Sequence, residues 1–224
     1  TKLFNLTDKE KSLVFKFFDN DYKLLEIQKI RESKGMKTTD LSLHCVFTGN
    51  PGTGKTTVAR ILSEIYKNLG LLKKGHLIET DRSGLVAEYV GQTATKTNAI
   101  IDSALDGVLF IDEAYSLYRG KDDSFGLEAI DTLVKGIEDN RDNLIVILAG
   151  YSNEMEEFLT SNSGLKSRFP NVINFPDYTG SELLAIAEIT AKSKGYTIDE
   201  GAKTALLAYF NAVQAVRAND AGNG

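Results

Sequence analysis

The sequence predicts an α/β fold with a parallel sheet, because apolar strand patterns alternate with helical patterns. Five short apolar runs, each bounded by Gly, Asn, Asp or Pro, indicate buried strands at 43–48, 75–79, 108–112, 144–149 and 172–175. Helical patterns fill the intervals at 55–69, 93–105 and 127–140. Strands that alternate with helices form parallel sheets covered on both faces, so we expect a five-stranded parallel sheet flanked by helices.

After Pro176 the pattern changes, and no further strand is predicted. Residues 181–194 and 200–216 both have the spacing of amphipathic helices, and Ser181 is a candidate N-cap. We therefore expect a small helical domain after the sheet. The predicted domains are 1–177 and 178–224.

Composition excludes several classes of protein. The chain has 224 residues, 42% of them hydrophobic, so it can bury a sizeable core. Its net charge of -5 disfavours DNA or RNA as main ligand, because nucleic-acid-binding proteins usually carry a basic face. The single cysteine, Cys45, is typical of a reducing cytoplasm and is expected to be a small buried side chain.

No apolar run reaches the roughly 18 residues of a membrane helix, and residues 1–5 lack a signal-peptide pattern. Since the chain begins with Thr1, we interpret it as a fragment.

A glycine-rich segment after the first predicted strand fits the pattern G-x-x-x-x-G-K-[ST]. Glycines let backbone N–H groups turn inward around phosphate oxygens, and the N-terminus of the next helix adds a partial positive charge. Lys55 is expected to reach the terminal phosphates, and the Thr56 hydroxyl to ligate Mg²⁺. The predicted nucleoside-triphosphate site contains Gly49, Asn50, Pro51, Gly52, Thr53, Gly54, Lys55, Thr56 and the adjoining Thr57.

Two carboxylates, Asp112 and Glu113, follow the third apolar run where its strand is predicted to end. Ligands of open α/β sheets bind beyond the carboxyl ends of the strands, so we expect both carboxylates at the phosphate site. Asp112 is predicted to hold Mg²⁺, largely through water. Glu113 is predicted to polarise the attacking water as a general base, which indicates hydrolysis of the nucleotide.

These two motifs resemble those of the AAA+ ATPases, in segments 47–56 and 108–115. Within AAA+, the chain is similar to the group that contains stage V sporulation protein K and the red-type Rubisco activase CbbX. The similarity covers roughly residues 22–210. Further segments occur in family order at 74–77, 89–93, 148–151, 164–169 and 175–178.

The resemblance implies a ring, commonly a hexamer, in which ATP lies between subunits and hydrolysis remodels or threads a protein. Arg168 matches the arginine finger that reaches the neighbour's γ-phosphate, a role suited to a permanent planar cation. A surface ion pair is the alternative interpretation of Arg168. Tyr89, Val90 and Gly91 match the pore loop, which turns one aromatic side chain per subunit toward a central channel. Packing of Tyr89 in its own core is the alternative there.

Other family positions match less closely. Tyr151 and, more weakly, Asn153 lie where relatives carry a polar sensor of the nucleotide. Arg141, before the fourth strand, is interpreted as a solvated arginine that could also face a neighbour. Residues 3–6 correspond to the adenine-pocket segment but lack its Ile-Gly pair. The family's sensor arginine follows a Gly-Asn-Gly stretch, and this chain ends at 222–224 with that stretch, so we expect an incomplete lid.

The remaining polar residues are interpreted as structural. His44 and His76 flank strands without clustered acids or cysteines, and they do not predict a metal site. Asp122 and Asp123 are expected in a loop before the helix at 127–140, and a role facing another subunit is the alternative.

Three functions remain open on the sequence. The first is a Mg²⁺-dependent cytoplasmic ring ATPase that acts on an unidentified protein, without a membrane or a nucleic acid as partner. The second is an ATP-driven switch with little turnover, which the intact Glu113 disfavours. The third is a nucleic-acid-linked motor, which would place basic residues near the pore loop, where this chain has Glu88.

Overall fold

A parallel sheet forms the centre of the α/β part of the chain. The computed structural model describes residues 42–221. Its strands are β1 (Cys45–Thr48), β2 (Leu77–Thr80), β3 (Gly107–Ile111), β4 (Leu144–Gly150) and β5 (Asn171–Asn174). The strands pair in the order β2-β3-β4-β1-β5, and every pair is parallel. The predicted five-stranded parallel sheet is confirmed, with strand ends shifted by about two residues or fewer.

Helices connect the strands and follow the last of them. They are α1 (Lys55–Asn68), α2 (Arg82–Leu85), α3 (Thr93–Ala104), α4 (Ser124–Asp139), α5 (Ser152–Ser161), α6 (Ser163–Arg168), α7 (Gly180–Ser193) and α8 (Glu200–Ala221). A short 3-10 helix, Ala114–Leu117, lies between β3 and α4. The sequence did not predict α2, α5, α6 or the 3-10 helix. These elements are short, so few of their residues carry a detectable periodicity.

Burial along the strands follows their position in the sheet. The central strands β1, β3 and β4 are buried at every residue, because helices cover both faces of a parallel sheet. The edge strands β2 and β5 have no fully buried residue. The core therefore lies around the middle three strands, and the loops after them emerge from a rigid base.

Two helices begin earlier than predicted because side chains cap them. Asp123 is the N-cap of α4, where its carboxylate accepts from Gly126 N at 3.1 Å. The N-cap predicted at Ser181 was wrong, since Thr179 caps α7. Thr179 Oγ1 accepts from Glu182 N at 3.3 Å, and Glu182 Oε2 accepts from Thr179 N at 2.7 Å. This reciprocal pair is a capping box, which satisfies two N–H groups that the helix leaves unpaired.

The described residues divide into two compact units, 42–175 and 176–221. The first unit contains the sheet and helices α1 to α6. In the second unit, α7 and α8 pack against each other. Between residues 42 and 221, no helix is both long enough and apolar enough to cross a membrane.

His44 lies just before β1 as a buried polar side chain, only 6% exposed. Its Nδ1 accepts a hydrogen bond from Val146 N at 3.0 Å, and its ring centroid lies 5.7 Å from that of Phe169. Burial, together with the positive charge of Arg168, lowers the pKa of His44 from 6.5 to about 4. His44 is therefore neutral at neutral pH and acts as a hydrogen-bond acceptor within the sheet.

We expect the free energy of unfolding to fall as pH drops from 6.5 toward 4, in part because of His44. Over that window the unfolded chain binds a proton at His44 while the folded chain does not, so stability is lost on acidification. The loss from this one group is at most about 3 kcal/mol. His44→Gln, whose side-chain oxygen can accept from Val146 N without titrating, should flatten the dependence. Urea unfolding across this range measures both curves, and equal slopes would contradict the assignment.

Candidate nucleotide site

A cleft of about 300 Å³ opens where β1, β3 and β4 end. It brings the glycine-rich loop and the acidic pair together, as their positions after neighbouring parallel strands require. The lining residues are Gly49, Pro51, Gly52, Gly54, Lys55, Thr56, Thr57, Asp112, Glu113, Gly150 and Tyr151.

The loop after β1 has a backbone that requires glycine at several positions. Gly52 and Gly54 have φ of 75° and 93°, in the left-handed region. A Cβ at Gly49 would collide with the backbone carbonyl of Phe175, so the loop passes very close to the end of β5. Thr53 Oγ1 donates to Asn50 O at 2.7 Å, a hydrogen bond within the loop that stabilises its conformation.

Lys55, the first residue of α1, points its ammonium back into this loop. Its Nζ donates to Gly49 O at 2.8 Å and to Asn50 O at 2.9 Å. Burial lowers the pKa of Lys55 below its usual 10.5, and the negative charge of Asp112 partly opposes that shift. A partly desolvated cation interacts more strongly with a phosphate anion than a solvated one does, because the local dielectric is lower.

Asp112 and Glu113 occupy the turn that follows β3. Asp112 N donates to Thr80 O at 2.8 Å, and Asp112 Oδ1 accepts from Glu113 N at 3.0 Å, so the first carboxylate is held by the backbone. Glu113 has φ 45° and ψ 44°, a left-handed conformation that non-glycine residues rarely adopt. Such conformations persist where the surroundings enforce them and cluster at functional sites. Both side chains are exposed to the cleft.

The oxygen donors of this cleft fit a magnesium ion bound together with phosphates. Mg²⁺ is usually held by one or two protein oxygens, with phosphate oxygens and waters completing the octahedron. The Thr56 hydroxyl and the Asp112 carboxylate line one cleft and supply such a pair. From residue 42 to 221, no group of three or more His, Cys, Asp or Glu side chains is placed to hold a metal by itself.

Tyr151 forms the wall of the cleft beyond β4. Its ring lies 5.8 Å from that of Tyr115 at an interplanar angle of 42°, which fixes its position next to the acidic turn. Gly150 also lines the cleft, and a Cβ there would lie 2.7 Å from Tyr115 Cδ1. Asn153, the weaker sensor candidate, is exposed on α5 and is not among the lining residues.

Some predicted site residues lie away from the cleft wall. Asn50 and Thr53 are not among the lining residues, and Asn50 O accepts hydrogen bonds from Thr53 Oγ1 and Lys55 Nζ within the loop. The adenine-pocket segment at 3–6 lies outside the described residues. Arg168 and the loop at 89–91 lie outside the cleft as well.

Arg168, the last residue of α6, lies near the amino ends of β1 and β5. Its carbonyl accepts from Ser42 Oγ at 2.7 Å, just before β1 begins, whereas the nucleotide cleft follows the end of β1. Its Nη2 donates to Glu138 Oε2 at 3.0 Å, and the same Glu138 lies 3.7 Å from Arg141 Nη1. The side chain is 27% exposed.

The segment at 89–91 projects from the α/β unit. Tyr89 is 67% exposed and Val90 is 89% exposed, so the interpretation of Tyr89 as a core residue is wrong. The base of the segment is held in place, because Lys96 Nζ donates to Val86 O at 3.0 Å and Ala87 N donates to Thr93 Oγ1 at 3.2 Å. A rigid base with a solvent-exposed aromatic tip suits contact with another molecule.

The sequence analysis did not predict that Gly150 lines the nucleotide cleft, or that Arg82 and Asp123 lie together near the acidic turn. Gly150 belongs to a segment already noted for its family similarity. Asp123 lies in the loop before the helix, as predicted, and its additional role as the N-cap of α4 was not predicted. Arg82 forms a partly buried ion pair with Asp123, 41 residues away, and no local pattern reveals a partner at that separation.

The fold and this cleft define a nucleotide-binding α/β protein with a helical second unit. The sequence model of the ATPase family associated with various cellular activities (AAA) matches residues 45–177, and that of an AAA lid domain matches 179–224. The chain belongs to the AAA family of ATPases, which confirms the expectation from its motifs.

Named relatives agree with the group expected from the sequence. The chain is 48% identical to stage V sporulation protein K of Bacillus subtilis over 86% of this chain and 60% of that protein. It is 47% identical to the chloroplastic ribulose bisphosphate carboxylase/oxygenase activase of Cyanidioschyzon merolae over 84% of this chain and 64% of that protein. It is 47% identical to the ESX-3 secretion system protein EccA3 of Mycobacterium tuberculosis over 82% of this chain and 29% of that protein. The chain thus spans less than two thirds of the length of these relatives.

Proposed function

We propose that this chain is a Mg²⁺-dependent ATPase that assembles into a ring, with six subunits as the expected number, and remodels or threads a protein partner. The observation that carries the proposal is the division of the catalytic groups between two ends of the sheet. Lys55, Thr56, Asp112 and Glu113 line the cleft at the carboxyl ends, whereas Arg168 lies at the amino ends. A head-to-tail ring joins these two ends from neighbouring subunits.

Each residue has a separate task in ATP hydrolysis. The loop and Lys55 hold the triphosphate, and Thr56 with Asp112 hold the metal ion, which neutralises charge on the phosphates. Glu113 orients the attacking water and takes its proton as the water oxygen bonds to the γ-phosphorus and the bond to ADP breaks. Tyr151 lines the wall of the same cleft, where it would sense the nucleotide. Arg168 of the neighbouring subunit would place its cation on the γ-phosphate as charge develops.

A protein is the partner that the exposed Tyr89 and Val90 favour. An aromatic tip in a ring's centre contacts polypeptide through apolar area and makes little demand on its sequence. Glu88 beside the tip is unsuited to a phosphate backbone, which disfavours a nucleic-acid motor. Two relatives also carry names that refer to proteins, an activase of an enzyme and a component of a secretion system. Cys45 is the single cysteine of the sequence and is buried, which supports a reducing cytoplasm as the working compartment.

Glu113→Gln should bind ATP normally and lose nearly all turnover. The amide keeps the size of the side chain but cannot take a proton, and general-base catalysis typically contributes about 10² to 10⁴ in rate. Turnover is measured as phosphate release, and binding with a fluorescent ATP analogue. Retained turnover would rule out the general-base role and favour another water-activating group.

Mixing two inactive variants should restore turnover if Arg168 acts across the interface. An Arg168→Ala subunit retains Glu113 in its cleft, and a Glu113→Gln subunit retains Arg168. Where the second subunit faces the cleft of the first, the interface contains both residues. In a randomly mixed ring, roughly a quarter of interfaces are complete. Arg141→Ala, which removes the other arginine at Glu138, is the matched control and should stay active alone. A mixture as inactive as its components would show that Arg168 does not act in trans.

Tyr89→Ala should keep basal turnover and lose its stimulation by an unfolded protein such as casein. The side chain is exposed, so its removal costs little stability and mainly removes apolar contact with the substrate chain. Tyr196→Ala, at a 70% exposed tyrosine of the second unit, is the matched control. If both variants respond to casein equally, or if the unchanged chain does not respond, the threading role is contradicted.

A further inference from the structure

A partly buried ion pair lies against the turn that follows Glu113, and the ATPase chemistry described above does not use it. Arg82, the first residue of α2, lies 2.8 Å through Nη1 from Asp123 Oδ2, and its Nη2 donates to Asp123 Oδ1 at 3.1 Å. The two side chains are 17% and 14% exposed. By contrast, the pair between Arg60 and Glu79 has both side chains at least 44% exposed. A partly buried pair is screened less by salt and water than an exposed one, and the two contacts with Asp123 orient the guanidinium of Arg82.

The same guanidinium also binds the turn that follows Glu113. Its Nη1 donates to Ser116 O at 2.9 Å and to Leu117 O at 3.1 Å. Both carbonyls belong to the 3-10 helix at Ala114–Leu117, whose N-cap is Glu113. Ser116 N in turn donates to Glu113 O at 2.8 Å. The guanidinium of Arg82 therefore holds the 3-10 helix that directly follows Glu113.

The backbone of Glu113 needs such support. Its φ of 45° lies in the left-handed region, which a residue with a side chain adopts only when its surroundings enforce it. Helix α4 packs closely against the turn and against Arg82, since a Cβ at Gly126 would collide with Leu117 O and would lie 2.9 Å from Arg82 Nη1. Arg82 and Asp123 thus hold the turn between α2 and the start of α4.

Arg82 and Glu113 also face a common space. Both line a second cleft of about 430 Å³, together with Ser116, Lys96 and Arg119. Glu113 lines this cleft as well as the nucleotide cleft. Arg82 is not among the residues that line the nucleotide cleft, and its hydrogen bonds to Ser116 and Leu117 connect it to the turn that begins at Glu113.

We propose that Arg82 is a positioning residue for Glu113. By binding the carbonyls of Ser116 and Leu117 while paired to Asp123, it holds Glu113 in its left-handed conformation and so aims the carboxylate at the water in the nucleotide cleft. The inference rests on the proposed function, in which Glu113 is the general base. Arg82 itself touches neither ATP nor water in this account.

Arg82→Gln should lower kcat for ATP hydrolysis by about 10- to 100-fold, the usual cost of a misplaced catalytic group. KM for ATP should stay within about two-fold, because the phosphate loop is unaffected.

Arg60→Gln, which breaks the exposed ion pair with Glu79, is the matched control and should retain kcat. Asp123→Asn keeps an acceptor for Gly126 N and loses only the charge, so it should stay folded and show a smaller loss of kcat. If Arg82→Gln and Asp123→Asn both retain kcat, the proposal is overturned.

A double variant separates positioning of Glu113 from a general structural role. If Arg82 acts through Glu113, adding Arg82→Gln to Glu113→Gln should leave the residual turnover unchanged. If Arg82 only stabilises the fold, the two losses should multiply, which would overturn the inference.

The same measurements distinguish failure of this inference from failure of the proposed function. Full turnover in Glu113→Gln alone would contradict the general-base role itself. Loss of turnover in Glu113→Gln, with multiplied losses in the double variant, would contradict only the role of Arg82.

Discussion

In the parallel ladders, Thr48 at the end of β1 lies beside Gly150 of β4 and Asn174 of β5. Because β1 is buried at every residue, its register is fixed by packing on both faces. The next residue, Gly49, continues the ladder by donating to Gly150 O at 3.1 Å. The phosphate loop therefore starts from a position set by the core. A slip of one residue would turn the buried side chains of β1 to the opposite face and displace the loop.

The same register brings the acidic turn to the loop. Ile111 of β3 pairs with Leu148 of β4, so Asp112 and Glu113 emerge two strands away from Gly49 at the same edge of the sheet. The opposite edge carries Arg168, held by Ser42 and Glu138. Parallel strands thus separate the residues that line the nucleotide cleft from Arg168, the cation proposed to complete a neighbour's site. That separation is the physical basis of our proposal that the function depends on assembly.

The sequence predicted much of this arrangement, because its signals are local. A short apolar run before Gly49 and a second one before Asp112 identify two buried strands and the chemistry that follows them. Only the structure shows that Asn50 and Thr53 do not line the cleft, since a motif indicates which residues form a loop but not which of them face the cleft. The cap at Thr179 was missed because Ser181 carries a similar signal two positions later.

Long-range contacts could not be predicted in the same way. Arg82 meets Asp123 only because α2, the turn after β3 and the start of α4 pack together, and each of these elements is short or begins at an unexpected residue. The left-handed backbone of Glu113 also depends on those neighbours, as its own side chain disfavours that conformation. The contacts around Glu113 therefore appear only after the fold is assembled.

Turnover of ATP per subunit, measured against protein concentration while light scattering follows assembly, tests the central claim most directly. If the site is completed between subunits, turnover per subunit should rise with the assembled fraction and fall toward zero on dilution. Equal turnover in unassembled chains and in assemblies would contradict the account, because it would show that one chain contains every group the reaction needs.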